Sequence, residues 1–99
     1  MEYICLVPFE KAKEAERKLK EDFDIAAKQS ISIRNAETLG IKESGVIFFI
    51  RGTDEGVKRC KEILASYVKS ADAKTLNLAK AKIIEDEEKA ASGFGNIFG

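Results

Sequence analysis

The chain has 99 residues, with seventeen Lys and Arg set against seventeen Asp and Glu, and no histidine. Such a length holds one domain that buries only about two-thirds of its unfolded surface, and the balanced charge gives no global field to draw it onto nucleic acid or an anionic membrane. The missing histidine removes histidine-bound metal centres, Ser-His-Asp hydrolases and phosphohistidine chemistry.

Residues Tyr3 to Val7 and Val46 to Ile50 are apolar at every position. Neighbouring strand residues point to opposite faces, so both runs predict strands buried on both sides, and each face of the sheet needs cover. The apolar run ends at Pro8, too short for a secretory signal, and no stretch approaches a membrane span. Two cysteines without an export signal predict free thiols in a reducing cytoplasm.

From Glu10 to about Ala27, Ala12, Ala15, Leu19, Phe23 and Ala26 recur at helical spacing. Glu14 with Lys18 and Glu16 with Lys20 form acid-first pairs on the solvated face. The period becomes two at Ser30, where Ile31 and Ile33 alternate with Ser32 and Arg34. Leu39 and Ile41 either extend that strand or lie in a loop closing over the sheet edge. A turn at Lys42 to Gly45 precedes the second fully apolar strand, and the two strands are expected to form a hairpin. Beyond Gly52, Thr53 is placed to cap a helix whose first turn carries Asp54 and Glu55. Val57, Cys60, Ile63, Leu64 and Tyr67 line one stripe of that helix, which should end near Ser70.

Residues 71–84 carry two signals. Leu76 and Leu78 match a strand, whereas Leu76, Ala79 and Ile83 fall at helical spacing among helix-forming alanines and lysines. The strand is preferred, because it would pair with the first strand and close a β-α-β-β-α-β order. The expected fold is therefore α+β, a ferredoxin-like sandwich over residues 1–84, followed by an acidic segment and a Gly/Phe-rich tail over residues 85–99. Within that tail Phe94, Ile97 and Phe98 stand among glycines and suit a partner-docking segment.

Charge is uneven: residues 51–84 hold eight basic and four acidic groups, residues 85–99 one and four. Arg51, Thr53, Lys58, Arg59 and Lys61 form a candidate anion- or RNA-binding set at the start of the second helix, opposed by Asp54 and Glu55. Gly45, Phe48 and Tyr3 resemble parts of the RNA-recognition motif, whose β-α-β-β-α-β order implies exposed aromatics on its first and third strands. Ser44, Val46 and Arg51 depart from that pattern. On the same alignment Tyr3, Cys5, Val46, Phe48 and Ile50 share an open face, aliphatic enough for protein packing rather than base stacking.

Cys5 and Cys60 have no metal or redox spacing and read as core thiols, while Gly40, Gly45 and Gly52 read as turn residues. No catalytic residue, metal ligand or cofactor is assigned. The sequence thus predicts a non-enzymatic, self-associating binding or regulatory module, a homo-oligomer through its open sheet face with a protein partner at its tail. An RNA- or small-anion-binding module using residues 51–84 is the alternative, and an enzyme with an interface-assembled site ranks last.

Overall fold

A computed structural model describes the backbone of residues 1–98 and the side chains of residues 1–90. Its elements run β1 (Glu2–Val7), α1 (Phe9–Glu21), β2 (Ser30–Asn35), β3 (Val46–Arg51), α2 (Asp54–Leu64) and α3 (Ala73–Phe98), with 3-10 turns over Ala26–Lys28 and Ala36–Leu39. The fold is a small α+β arrangement of one three-stranded antiparallel sheet and three helices.

Strand β3 lies in the middle of the sheet, antiparallel to both neighbours, so β1 and β2 run parallel to each other. Cys5 and Ile33 both stand opposite Phe48, while Leu6 and Arg34 both stand opposite Ile47. Alternation then sorts the side chains onto two faces. On one, Cys5, Val7, Phe48 and Ile50 pack beneath Ala15 and Leu19 of α1 and Val57, Cys60 and Leu64 of α2. On the other, Leu6, Ile47 and Phe49 pack beneath Ala79 and Ile83 of α3 and beside Ala36, Leu39 and Ile41. The two apolar strands are covered on both sides, by helices in each case.

The strand expected over residues 71–84 is therefore a helix. After α2 the chain turns, Tyr67 N–H donating to the Leu64 carbonyl at 2.8 Å, and makes a single antiparallel bridge in which Lys69 N–H donates to the Leu6 carbonyl at 2.7 Å. Among the described residues, this bridge is the pairing found where a fourth strand is expected. The apolar face carrying Ile47 and Phe49 still needs cover, and a helix laid across it brings Leu76 onto one stripe with Ala79 and Ile83, which a strand would split between two faces. Asp72 starts that helix, its side chain accepting from Thr75 N–H at 2.8 Å. The boundary expected between residues 84 and 85 falls inside α3.

Other bounds differ for local reasons. Helix α1 stops at Glu21, short of the expected Ala27, where Asp22 leaves the helical conformation and its carbonyl accepts from Ala27 N–H at 3.0 Å. Phe23, expected on the core stripe, is consequently 75% exposed. Leu39 and Ile41 belong to the loop rather than to β2, and they plug the edge of the α3-side core. Gly45 closes this connection with φ 138°, and a Cβ there would lie 2.7 Å from the Val7 carbonyl oxygen.

Candidate functional site

Tyr3, Cys5, Val46, Phe48 and Ile50 do share one face, but it is the face under α1 and α2, not an open one. Cys5, Phe48 and Ile50 are buried there, and Tyr3 and Val46 pack at its margin. Parity grouped them correctly. Parity cannot say which side the helices take, and the alignment to the RNA-binding pattern placed the helices on the wrong side. Burial pushes the Cys5 thiol up to about 12, with its hydrogen bond to Tyr3 acting in the opposite direction. Burial and the neighbouring Cys5 likewise push the Tyr3 hydroxyl up to about 12. Cys60 is also raised by burial, so neither cysteine offers a thiolate nucleophile near neutral pH.

The basic set does not converge. Arg51 lies on the α3 side of the sheet, where its guanidinium donates to both Glu87 oxygens at 2.8 and 3.0 Å and stacks 4.7 Å above the Phe49 ring. Arg59 points toward the end of α1 and pairs with Asp22 at 2.5 Å and with Glu62 at 3.6 Å. The Lys61 ammonium lies 5.6 Å from the Tyr3 ring, and Lys58 is exposed on α2. The Thr53 hydroxyl is occupied as the expected cap, accepting from Gly56 N–H at 3.0 Å.

Beside that cap lies a depression of about 580 Å³ lined in part by Lys28, Gln29, Arg51 and Thr53. The Gln29 carboxamide holds the position an anion would need: its oxygen accepts from Thr53 N–H at 3.2 Å while its nitrogen donates to the Ile25 carbonyl at 2.9 Å. Gly52 and Gly56 leave room for it, since a Cβ at either would stand 1.9 or 2.1 Å from Gln29 atoms.

Both outer strands are edges: that of β1 is met by the Leu6–Lys69 bridge, and that of β2 runs beside a groove. Ala36 N–H donates to the Gly45 carbonyl at 3.0 Å, one step beyond the Asn35–Val46 pair. Antiparallel pairs alternate between bonded and non-bonded, so Arg34, Ser32 and Ser30 direct their backbone groups at β3. Ile31 and Ile33 direct theirs outward, where no strand among the described residues pairs with them. The Ile33 carbonyl accepts instead from the Arg34 guanidinium at 3.1 Å. Alongside runs a groove of about 240 Å³ lined by Glu16, Leu19 and Lys20 of α1 and by Ile31 and Ile33. Both isoleucines are half-buried, with apolar surface left over at the edge.

The sequence pattern marks Ile31 and Ile33 as a strand's buried face and Glu16 and Lys20 as a solvated pair. Their shared groove depends on α1 lying over β2, which no local spacing reveals. Glu87 was missed as well, although an acidic residue one helical turn beyond Ile83 and Ile84 was available to an arginine on the sheet. The side chains of Phe94, Ile97 and Phe98 lie outside the described residues. Among the described residues no group of His, Cys, Asp and Glu is placed to hold a metal, and no helix is long and apolar enough to cross a membrane. No protein family, curated protein or solved structure matches the chain.

Proposed function

We propose that this chain is a non-enzymatic binding module that captures an extended strand along the free edge of β2. The carrying observation is the pair of outward-facing backbone groups at Ile31 and Ile33 beside an apolar groove. Strand addition uses these two features together: main-chain hydrogen bonds supply affinity, and the groove selects alternate apolar side chains. With both sheet faces packed against helices, self-association by an open face loses its motive, and the edge takes its place. The scattered pairing of Arg51 and Arg59 gives the RNA reading no gathered surface.

The order β1-β3-β2 with helices after β1 and β3 supports a ferredoxin-like core whose fourth strand has shrunk to the Leu6–Lys69 bridge. Two free buried cysteines fit a reducing, cytoplasmic setting. Phe94, Ile97 and Phe98 are a second contact surface in this reading, their spacing of three and four suiting one stripe of a helix.

Titration with a short peptide alternating isoleucine and serine tests strand capture. Amide resonances of Ser30 to Arg34 should shift and those of Ile31 and Ile33 should gain protection from exchange. An unchanged edge at saturating peptide, in a chain shown to be monomeric at that concentration, would overturn the proposal.

A further inference from the structure

We infer that the strand taken up by β2 is β2 of a second copy, paired antiparallel about a two-fold axis through Ser32. The inference rests on the strand-capture reading and names its partner. It starts from which edge groups are free. At one end the Gln29 N–H donates to the Ala26 carbonyl at 3.1 Å, and at the other the Asn35 carbonyl accepts from the Thr38 hydroxyl at 2.7 Å. Ile31 and Ile33 are thereby the residues whose N–H and carbonyl both stay open on this edge, flanked by the Asn35 N–H and the Gln29 carbonyl. A two-fold axis through Ser32 sets Ile31 opposite Ile33 of the second copy and Ile33 opposite its Ile31. Both pairs then exchange N–H and carbonyl, and the Asn35 N–H of each copy comes opposite the Gln29 carbonyl of the other. Axes through Ile31 or Ile33 would instead pair an isoleucine with the engaged Gln29 N–H or the engaged Asn35 carbonyl. The Arg34 guanidinium yields the Ile33 carbonyl to the incoming Ile31 N–H.

Side chains agree with that register. Ile31 and Ile33 of both copies meet on the α1 side as one apolar strip continuous with the two grooves. Helix α1 runs antiparallel to β2, because it carries the chain back between two parallel strands, and its residues Glu16 and Lys20 flank the same groove. The axis therefore brings Glu16 of one copy toward Lys20 of the other, twice. Within one copy these two already pair at 2.8 Å, so two copies close a four-membered ring of alternating charge. On the opposite face Ser32 meets Ser32, and Arg34, which helps to hold the Glu87 carboxyl low, comes opposite Ser30 of the second copy.

Sedimentation velocity on the full chain over a concentration series, with peptide titration in parallel, tests the inference. The wild type should pass from monomer to dimer. Ile33→Pro removes an outward N–H and no bond to β3, and Ile31→Lys sets like charges across the axis; each should weaken dimerisation at least about tenfold, with folding checked by circular dichroism. Glu16→Lys and Lys20→Glu should each weaken it alone, and mixing the two variants should restore a dimer containing one of each. Loss of packing cannot imitate that recovery. A chain that stays monomeric at millimolar concentration would overturn the inference, as would a dimer indifferent to Ile31→Lys or a mixture that fails to recover. A monomer whose β2 edge still answers the alternating peptide leaves strand capture standing without the second copy; a monomer with a silent edge removes both.

Discussion

At the scale of single residues, Gln29 and Gly56 form one device. The carboxamide bridges the Ile25 carbonyl and the Thr53 N–H, joining the 3-10 turn before β2 to the start of α2. Gly56→Ala puts a methyl group into the Gln29 side chain, which swings out and gives up both bonds. The expected loss is about 1–2 kcal/mol in chemical denaturation. Little of it should remain in a Gln29→Ala background, and an equal loss in both backgrounds would refute the coupling. Glu87 offers a second test. The Arg51 guanidinium, and secondarily Ser32 and Arg34, hold its carboxyl below the usual carboxylate range against partial burial. A carboxyl lowered in the folded state stabilises fully above its unfolded value of about 4.3, and that stabilisation disappears as pH falls through the lower folded value. Glu87→Gln should therefore cost about 1 kcal/mol at pH 7, a figure discounted for side chains 31% and 35% exposed, and the gap to the wild type should close as pH falls through the lowered folded value. A gap that persisted in acid would show that Glu87 acts through packing instead.

At the scale of elements, the governing fact is that a central strand apolar on both faces demands two covers. That demand was legible in Val46 to Ile50, and so were three strands, two helices and the Thr53 cap. What local pattern could not decide was whether residues 71–84 satisfy the free edge of β1 or the free face under Phe49. The two needs compete for one segment. A single Leu6–Lys69 bridge meets the first, and the helical spacing of Leu76, Ala79 and Ile83 meets the second. The doubled apolar pattern required a second cover, from a second subunit or from the chain's own later segment; α1 and α2 share a single face, and α3 is that cover. Ile83 is fully buried between α3 and the sheet, so Ile83→Ala should cost about 2–4 kcal/mol and raise amide exchange throughout α3 more than in α2. A uniform effect on all three helices would mean that α3 does not open separately. The same reasoning reverses the reading of Phe48. Lying under α1 and α2, it turns Phe48→Asp from an interface mutation into a core mutation, in which an unpaired buried carboxylate should abolish cooperative unfolding. A folded Phe48→Asp monomer would contradict the observed packing.

At the scale of the whole molecule, the open question is how far α3 is part of the domain and how far it is an arm. Its anchors are Ala79 and Ile83 against Ile47 and Phe49, then Glu87 against Ser32 and Arg51. The helix runs on from Glu87 to Phe98. All these anchors precede Ser92. Truncation after Ser92 removes Phe94, Ile97 and Phe98 while sparing every one of them. If the last turns are a docking arm, stability should change by less than about 1 kcal/mol, in the range of exposed substitutions, because the sheet keeps its cover. The same deletion should also leave dimerisation through β2 untouched, since the groups used there lie at Ile31, Ile33, Glu16 and Lys20. A marked fall in melting temperature, or aggregation of the truncated chain, would instead mean that the terminal aromatics cap the molecule's own apolar surface. Exposing that surface carries a cost of about 25 cal/mol for each Å². Thermal melts of the truncated and intact chains, read beside their sedimentation profiles, separate the two: an arm alters neither, whereas a cap lowers the melt or adds aggregates to the profile.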